Sequence, residues 1–325
     1  MIRWGILGAG NIAHRFGASL EHQPDSTLVA ISGRNAEKMA AFAAQFKVRK
    51  IYLDHRALLA DPDIDAIYLA LPHGLHREWA VRALRAGKAV LCEKPATLNA
   101  AEMEEIAAVS RETGTLFMEA MKPRFVPLYG QLRTMLDKGV IGEITRVEAS
   151  LCNAMPFDRM GNTYHTQPGQ GGCLLDCGCY CASWLEDFLH GEPRFVEVET
   201  VEKDGLDHYV KAELRFGPAT AMLECAFDRA KPRKASVYGT KGSIEVDELH
   251  RPQNMTVYVD GEAPRSISVP YLVDDFYGQI HAFTQCLQTG KAENEVMPLA
   301  SSIRNVRILD VIRAGMGIAS DNKQK

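Results

Sequence analysis

Over the first 120 residues, short β-branched or apolar runs alternate with amphipathic stretches of helical period. Such alternation builds parallel strands joined by crossover helices. The runs Ile2 to Leu7, Thr27 to Ser32, Ala66 to Leu71, Ala89 to Glu93 and Thr115 to Glu119 read as strands. Asn11 to Glu21, Ala36 to Phe46, Leu75 to Ala86 and Asn99 to Thr113 read as the helices between them. Ala89-Val90-Leu91-Cys92 is apolar without interruption, as suits a strand covered on both faces. Gly87 and Gly114 stand where two of the helices should end, in keeping with a left-handed C-terminal cap.

After Pro123 the pattern changes. Pro127 to Lys138 reads as a helix, Gly142 to Cys152 as a long strand and Gly171 to His190 as a second helix. Six extended segments follow: Arg194 to Val201, Asp207 to Phe216, Ala219 to Ala226, Ala235 to Tyr238, Ser243 to Val246 and Met255 to Val259. Strands this close in sequence, parted by short turns, pair antiparallel. Asp275 to Thr289 and Leu299 to Gly315 close the chain as helices. The expected architecture is therefore α/β over residues 1–122, a Rossmann-type doubly wound parallel sheet. Residues 123–325 are expected to form an α+β domain with a large, mostly antiparallel open sheet for substrate binding and dimerisation, its final helix free to pack back on the first domain.

Composition narrows the function. A length of 325 residues exceeds what one core usually organises, and 46% hydrophobic with 24% charged residues matches an ordinary soluble globular chain. Lys and Arg number 37 against 41 Asp and Glu, a net charge of −4 that leaves no basic surface for nucleic acid. The eight Cys are sparse for a disulfide framework, and Met1 to Arg3 lead straight into Trp4-Gly5-Ile6-Leu7-Gly8 without an export signal. No apolar run approaches the roughly 18 residues of a membrane span. A cytoplasmic protein with a small-molecule substrate, and neither nucleic acid nor membrane as partner, is the expectation.

Gly8-Ala9-Gly10-Asn11-Ile12-Ala13 is G-x-G-x-x-A directly after a strand and opening a helix. The first Gly permits the tight turn, the second lets the backbone approach a pyrophosphate, and the free N–H groups near Asn11 and Ile12 meet the anion. At the end of the second strand stands Ser32-Gly33-Arg34 rather than a carboxylate. A hydroxyl and a guanidinium suit the 2′-phosphate of NADP better than the ribose of NAD. Leu71 ends its strand, and His73 and His76 follow it on the cofactor side, where either could contact nicotinamide or ribose, although His76 at a helix start equally suits a bond to the backbone.

Two further segments place polar groups where a core would not want them. Cys92-Glu93-Lys94-Pro95 ends a buried-looking strand in two charges, at the strand's carboxyl end, where ligands bind in open α/β sheets. Lys94 there can hydrogen-bond a carbonyl or bias the pKa of a neighbouring acid, while Glu93 and Lys94 can equally be a surface ion pair. In Gly171 to Cys181, Asp176 and Tyr180 lie four apart on one helix face, and His165 precedes them on a loop. Cys173, Cys177, Cys179 and Cys181 crowd the same helix, but an i, i+4, i+8 spacing reads as thiols packing a core rather than a metal site.

Taken together, these residues resemble the Gfo/Idh/MocA family of NAD(P)-dependent oxidoreductases, in order along nearly the whole chain: the Gly8 fingerprint, Glu93-Lys94-Pro95, Glu119-Ala120 with Arg124-Phe125 and Pro127, and Gly171 to Tyr180. The resemblance implies Lys94 as the catalytic lysine, with Asp176 and Tyr180 lining the substrate site; Arg124 is assigned to the same site, and His165 could reach it from its loop or stand as an ordinary surface histidine. Many members carry His where Tyr180 stands. The Tyr, with Met118-Glu119-Ala120 leading to Arg124-Phe125, is similar to the dimeric dihydrodiol dehydrogenase branch. It implies a hydride exchange with a small sugar, polyol or diol, or the matching carbonyl, needing no metal, in a homodimer formed through the second-domain sheet. A non-catalytic nucleotide-sensing or partner-binding member is the alternative; loss of Lys94 or Tyr180 would have favoured it.

Overall fold

The N-terminal alternation becomes a six-stranded sheet in the structure, a computed structural model that describes residues 1–156, 161 and 163–317. Its elements run β1 (Ile2–Leu7), α1 (Asn11–Leu20), β2 (Ser26–Ser32), α2 (Ala36–Phe46), β3 (Lys50–Tyr52), α3 (His55–Leu59), β4 (Ala66–Leu69), α4 (His76–Arg85), β5 (Ala89–Cys92), α5 (Ala100–Thr113) and β6 (Phe117–Glu119). The strand order is β3-β2-β1-β4-β5-β6, and the neighbours pair in parallel. The order reverses between β1 and β4, so the crevice beyond their carboxyl ends is where a dinucleotide binds. Local signals start the helices: Asn35 caps α2 by accepting from Lys38 N at 2.9 Å, and Asp54 caps α3 by accepting from Arg56 N at 2.9 Å.

One side of this sheet is built on aromatic packing. Phe16 of α1 stacks on Tyr68 of β4 with centroids 3.8 Å apart, and Trp4 of β1 meets Phe16 edge-on at 5.2 Å. Trp4 is completed by Phe283, 5.1 Å away on a helix, Tyr277–Gln288, from far along the chain. Ser26 and Thr284 meet at 3.1 Å beside it, and Asp275 just upstream takes ion pairs from Arg15 and Lys122.

The chain accordingly divides into two compact units that are not continuous in sequence. The first holds Met1–Thr97, Ala101–Phe125 and Leu272–Ser302; the second holds Leu98–Ala100, Val126–Tyr271 and the chain from Ile303. A single boundary after residue 122 therefore does not describe it. The segment that returns to the first unit carries the penultimate helix, because Trp4 offers it an apolar seat, while most of the final helix, Leu299–Gly315, counts with the second.

In the second unit, α6 (Pro127–Asp137) precedes β7 (Ile144–Cys152), and seven more strands follow: β8 (Pro193–Lys203), β9 (Leu206–Phe216), β10 (Ala219–Ala226), β11 (Lys234–Gly239), β12 (Gly242–Asp247), β13 (Asn254–Val259) and β14 (Arg265–Ser268). Their order is β14-β13-β12-β11-β7-β10-β9-β8, antiparallel except for the parallel pair β7 and β10. Strand alternation gives the sheet two faces. Val147, Ala149, Leu151, Ala221, Leu223 and Cys225 are buried on one of them, and Cys181 of the Cys179–Phe188 helix reaches the backbone of β10 there. The other face carries polar ladders, with Arg146 bonded to Glu148 at 2.6 Å and to Glu213 at 3.0 Å. Among the described residues no helix is long and apolar enough to cross a membrane.

Candidate active site

The fingerprint turn is built for close approach. Gly8 adopts φ +98°, and a Cβ there would stand 2.6 Å from the carbonyl oxygen of Ala70. Its N–H donates to Ser32 O at 2.8 Å, so the ends of β1, β2 and β4 converge on one turn. Gly10 begins α1 with no side-chain cap, the first turn carries no acidic residue, and no atom lies within 4 Å of where its Cβ would be. Free N–H groups at Asn11 and Ile12 facing open space are what a pyrophosphate requires. The residues present thus fit a nicotinamide dinucleotide.

At the end of β2 the structure alters the sequence expectation. Ser32 is fully buried, and its Oγ lies 2.6 Å from Nδ1 of His55, so this hydroxyl is engaged inside the unit rather than offered to a ligand. Arg34 is exposed. His55 stands at the start of α3, packed edge-on against Trp79 of α4 at 4.8 Å. Burial lowers its pKa below the usual imidazole value; Arg34 adds to the lowering and Asp54 opposes it.

The end of β5 is a buried polar knot. Glu93 is buried with the Tyr68 hydroxyl donating to it, and Lys94 N donates to its Oε2 at 3.2 Å. Burial raises the Glu93 carboxyl above its usual range, against the pull of Tyr68, Lys94 and Lys122. The Lys94–Pro95 peptide is cis, and Ala96 N just beyond it donates to Glu119 Oε1 at 2.9 Å. His76 is buried, with Nδ1 2.9 Å from Pro95 O and Nε2 2.7 Å from Leu71 O. The ring thus ties the loop after β4 to the loop carrying Lys94, which is the backbone role that a helix-start histidine suits. Burial lowers its pKa, while the two carbonyls act in the opposite sense. His73 is buried beside it, ring centroids 5.7 Å apart, and Arg124 is buried in the turn after β6.

In the second unit the expected helix begins later than Gly171. A π turn, Leu174–Gly178, carries Asp176 and runs into the α-helix Cys179–Phe188, which carries Tyr180. Asp207 of β9 holds the start, accepting from Leu174 N at 2.6 Å. His165 comes to Asp176, Nε2 to Oδ2 at 3.8 Å, and Tyr180, largely buried, has its ring edge-on to His250 at 5.9 Å. All eight cysteines are buried and free; burial pushes the Cys173 thiol up to about 11 and holds the Cys181 and Cys225 thiols well above their ordinary value. Among the described residues no group of three or more His, Cys, Asp or Glu is placed to hold a metal ion.

The sequence reading missed His55, Tyr68, Asp207 and His250. Tyr68 had one visible signal, a hydroxyl inside the otherwise apolar run Ala66–Leu69. The others depend on partners remote in sequence.

Comparison with known proteins covers both units. Residues 2–121 match an oxidoreductase family with an NAD-binding Rossmann fold (GFO/IDH/MocA), and residues 129–245 match the GFO/IDH/MocA C-terminal domain. Trans-1,2-dihydrobenzene-1,2-diol dehydrogenase of Mus musculus is 33% identical over 98% of this chain and 97% of its own. The scyllo-inositol 2-dehydrogenase (NADP(+)) of Bacillus subtilis is 31% identical over 98% of each chain. Among solved structures, a 3-ketoreductase from Actinomadura kijaniata in complex with NADP and TDP-benzene superposes with a TM-score of 0.87 at 31% identity, over 97% of each chain.

Proposed function

For a chain that belongs to the Gfo/Idh/MocA family of oxidoreductases, we propose NADP as the cofactor and a small sugar, polyol or diol, or the matching carbonyl, as the substrate. One observation carries the cofactor. The end of β2 is followed by Arg34, exposed and without a protein partner among the described residues, and no carboxylate stands there to accept from the 2′-OH of NAD. The inositol dehydrogenase named for NADP(+) and the ketoreductase solved with NADP support the same choice. The substrate class is supported by relatives named for a cyclic diol and a cyclic polyol.

The bound nicotinamide supplies or accepts a hydride. Tyr180 gives or takes the proton on the reacting oxygen. Lys94 holds that oxygen and stabilises its developing charge, with Glu93 beside it. Asp176, paired with His165, orients the substrate hydroxyls, and Arg124 belongs to the same substrate set. Two copies are proposed to pair through the open face of the second-unit sheet, in the cytoplasm.

The test is a screen of diols and aldoses with NADP and with NAD, following absorbance of the reduced cofactor. Lys94→Ala should lose at least about a hundredfold in kcat, and Tyr180→Phe a comparable amount; near wild-type turnover in the Lys94 variant refutes its role. Arg34→Ala should weaken NADP about tenfold more than NAD, and equal losses refute the 2′-phosphate contact.

A further inference from the structure

We propose that His55 is a specificity-determining residue of the cofactor site, donating from Nε2 to the 2′-phosphate that separates NADP from NAD. The inference deepens the NADP reading above and rests on it. A phosphate dianion at the end of β2 needs several donors, at least one of them charged. The sequence offers Ser32 and Arg34 for this, but Ser32 is sealed in the interior with its Oγ against Nδ1 of His55 at 2.6 Å. The serine hydroxyl can donate to Nδ1 or accept from it. If it donates, the neutral imidazole carries its hydrogen on Nε2; if the ring is protonated, both nitrogens carry one. In these two states Nε2 is a donor, a phosphate dianion facing it selects them over the tautomer with hydrogen on Nδ1 alone, and no protein group among the described residues takes that position.

The ring is also well fixed. Ser32 of β2 holds one nitrogen, Trp79 of α4 packs edge-on at 4.8 Å, and the backbone of α3 begins at His55 itself, behind the Asp54 cap. The turn on the other side is tied down by Gly33 N donating to Tyr52 O at 3.1 Å, so the chain leaving β2 toward Arg34 and the chain leaving β3 toward His55 are held together. Arg34 lies close enough for its charge to lower the imidazole pKa. A guanidinium and an imidazole N–H thus share one corner of the strand ends, and Ser32 serves as a positioning residue for the second of them.

The experiment measures equilibrium binding to the full-length protein, without turnover. NADPH and NADH are titrated by fluorescence, and adenosine 2′,5′-bisphosphate and AMP by calorimetry, for wild type, His55→Phe and His55→Gln. His55→Phe keeps a ring against Trp79 but removes both nitrogens, whereas Gln restores an N–H donor near the Nε2 position. The expected result is a loss of about tenfold for NADPH and for the bisphosphate in His55→Phe, with NADH and AMP within about twofold, and recovery of most of the loss in His55→Gln. Unchanged AMP affinity also certifies that the variant is folded. Equal losses for phosphorylated and unphosphorylated ligands, or no loss at all, overturn the proposal. A wild-type protein that binds both kinds of ligand alike overturns the NADP reading itself, whereas a wild-type preference that survives in His55→Phe overturns only the role of His55.

Discussion

Replacing Gly172 by Ala tests how the second unit holds the helix that carries Asp176 and Tyr180. Gly172 adopts φ +95°, a region in which a Cβ costs roughly 1–2 kcal/mol. The added atom would also collide with Oδ1 of Asp207, whose Oδ2 accepts from Leu174 N at 2.6 Å. Burial raises the Asp207 carboxyl, and the Leu174 N–H and the Cys173 thiol pull it back down. Forced aside, the half-buried carboxylate loses its bond to Leu174, a cost of roughly 1.5–3 kcal/mol. The two effects add to about 2.5–5 kcal/mol. Asp207→Asn separates them, because it leaves the backbone of Gly172 alone and keeps an oxygen for Leu174; its cost should be about 1 kcal/mol.

Urea unfolding measures both variants, and steady-state kinetics show where the damage lands. Because the fingerprint turn sits in the other unit, Gly172→Ala should lower kcat while leaving the NADPH dissociation constant within about twofold. Stability within about 1 kcal/mol of wild type, or a loss of cofactor affinity as large as the loss of turnover, would refute the reasoning.

Two further outcomes follow from the first unit. In Asp61, burial works to raise the carboxyl, but the Lys50 ammonium, Asp63 N–H and Tyr52 hydroxyl outweigh it and bring it to about 2, below its ordinary 3.8. The folded pKa is depressed, so this stabilisation is present above about pH 4 and lost as pH falls through about 2. Asp61→Asn should therefore be less stable than wild type at pH 7 in urea unfolding and nearly equal to it at pH 2; a gap of the same size at both would contradict the assignment. Phe16→Ala removes a fully buried ring stacked on Tyr68 and edge-on to Trp4, and should cost about 3–5 kcal/mol in thermal unfolding. A loss under about 1.5 kcal/mol would mean that the aromatic stack is not what seats α1 on the sheet.

Long segments were legible in the sequence to the residue: α2 at Ala36–Phe46, β10 at Ala219–Ala226 and the final helix at Leu299–Gly315. In α2 an apolar face recurs at helical spacing, while β10 and the final helix are bounded by breakers, Gly217-Pro218 before the one and Pro298 and Gly317 around the other. By contrast β3, α3 and β14, of three, five and four residues, are too short for a pattern to repeat recognisably, and they appear because neighbouring strands and caps select them. The helix foreseen from Gly171 begins at Leu174, because its start waits on a carboxylate 33 residues away in β9.

The site divides along the same line. Gly8 and Gly10 were readable because what they supply is backbone geometry, which belongs to the residue itself. Ser32 was not, because its role depends on a partner 23 residues downstream at the start of α3. From its spacing alone the hydroxyl looked like a ligand contact; in the fold it orients an imidazole. The difference matters for redesign. If specificity is shared between Arg34 and His55, substitutions confined to the Ser32-Gly33-Arg34 turn leave the Nε2 donor in place. A switch from NADP to NAD then requires removing that donor as well as placing a carboxylate after β2, since an acid introduced beside an intact His55 would be drawn to the imidazole instead of the ribose hydroxyls.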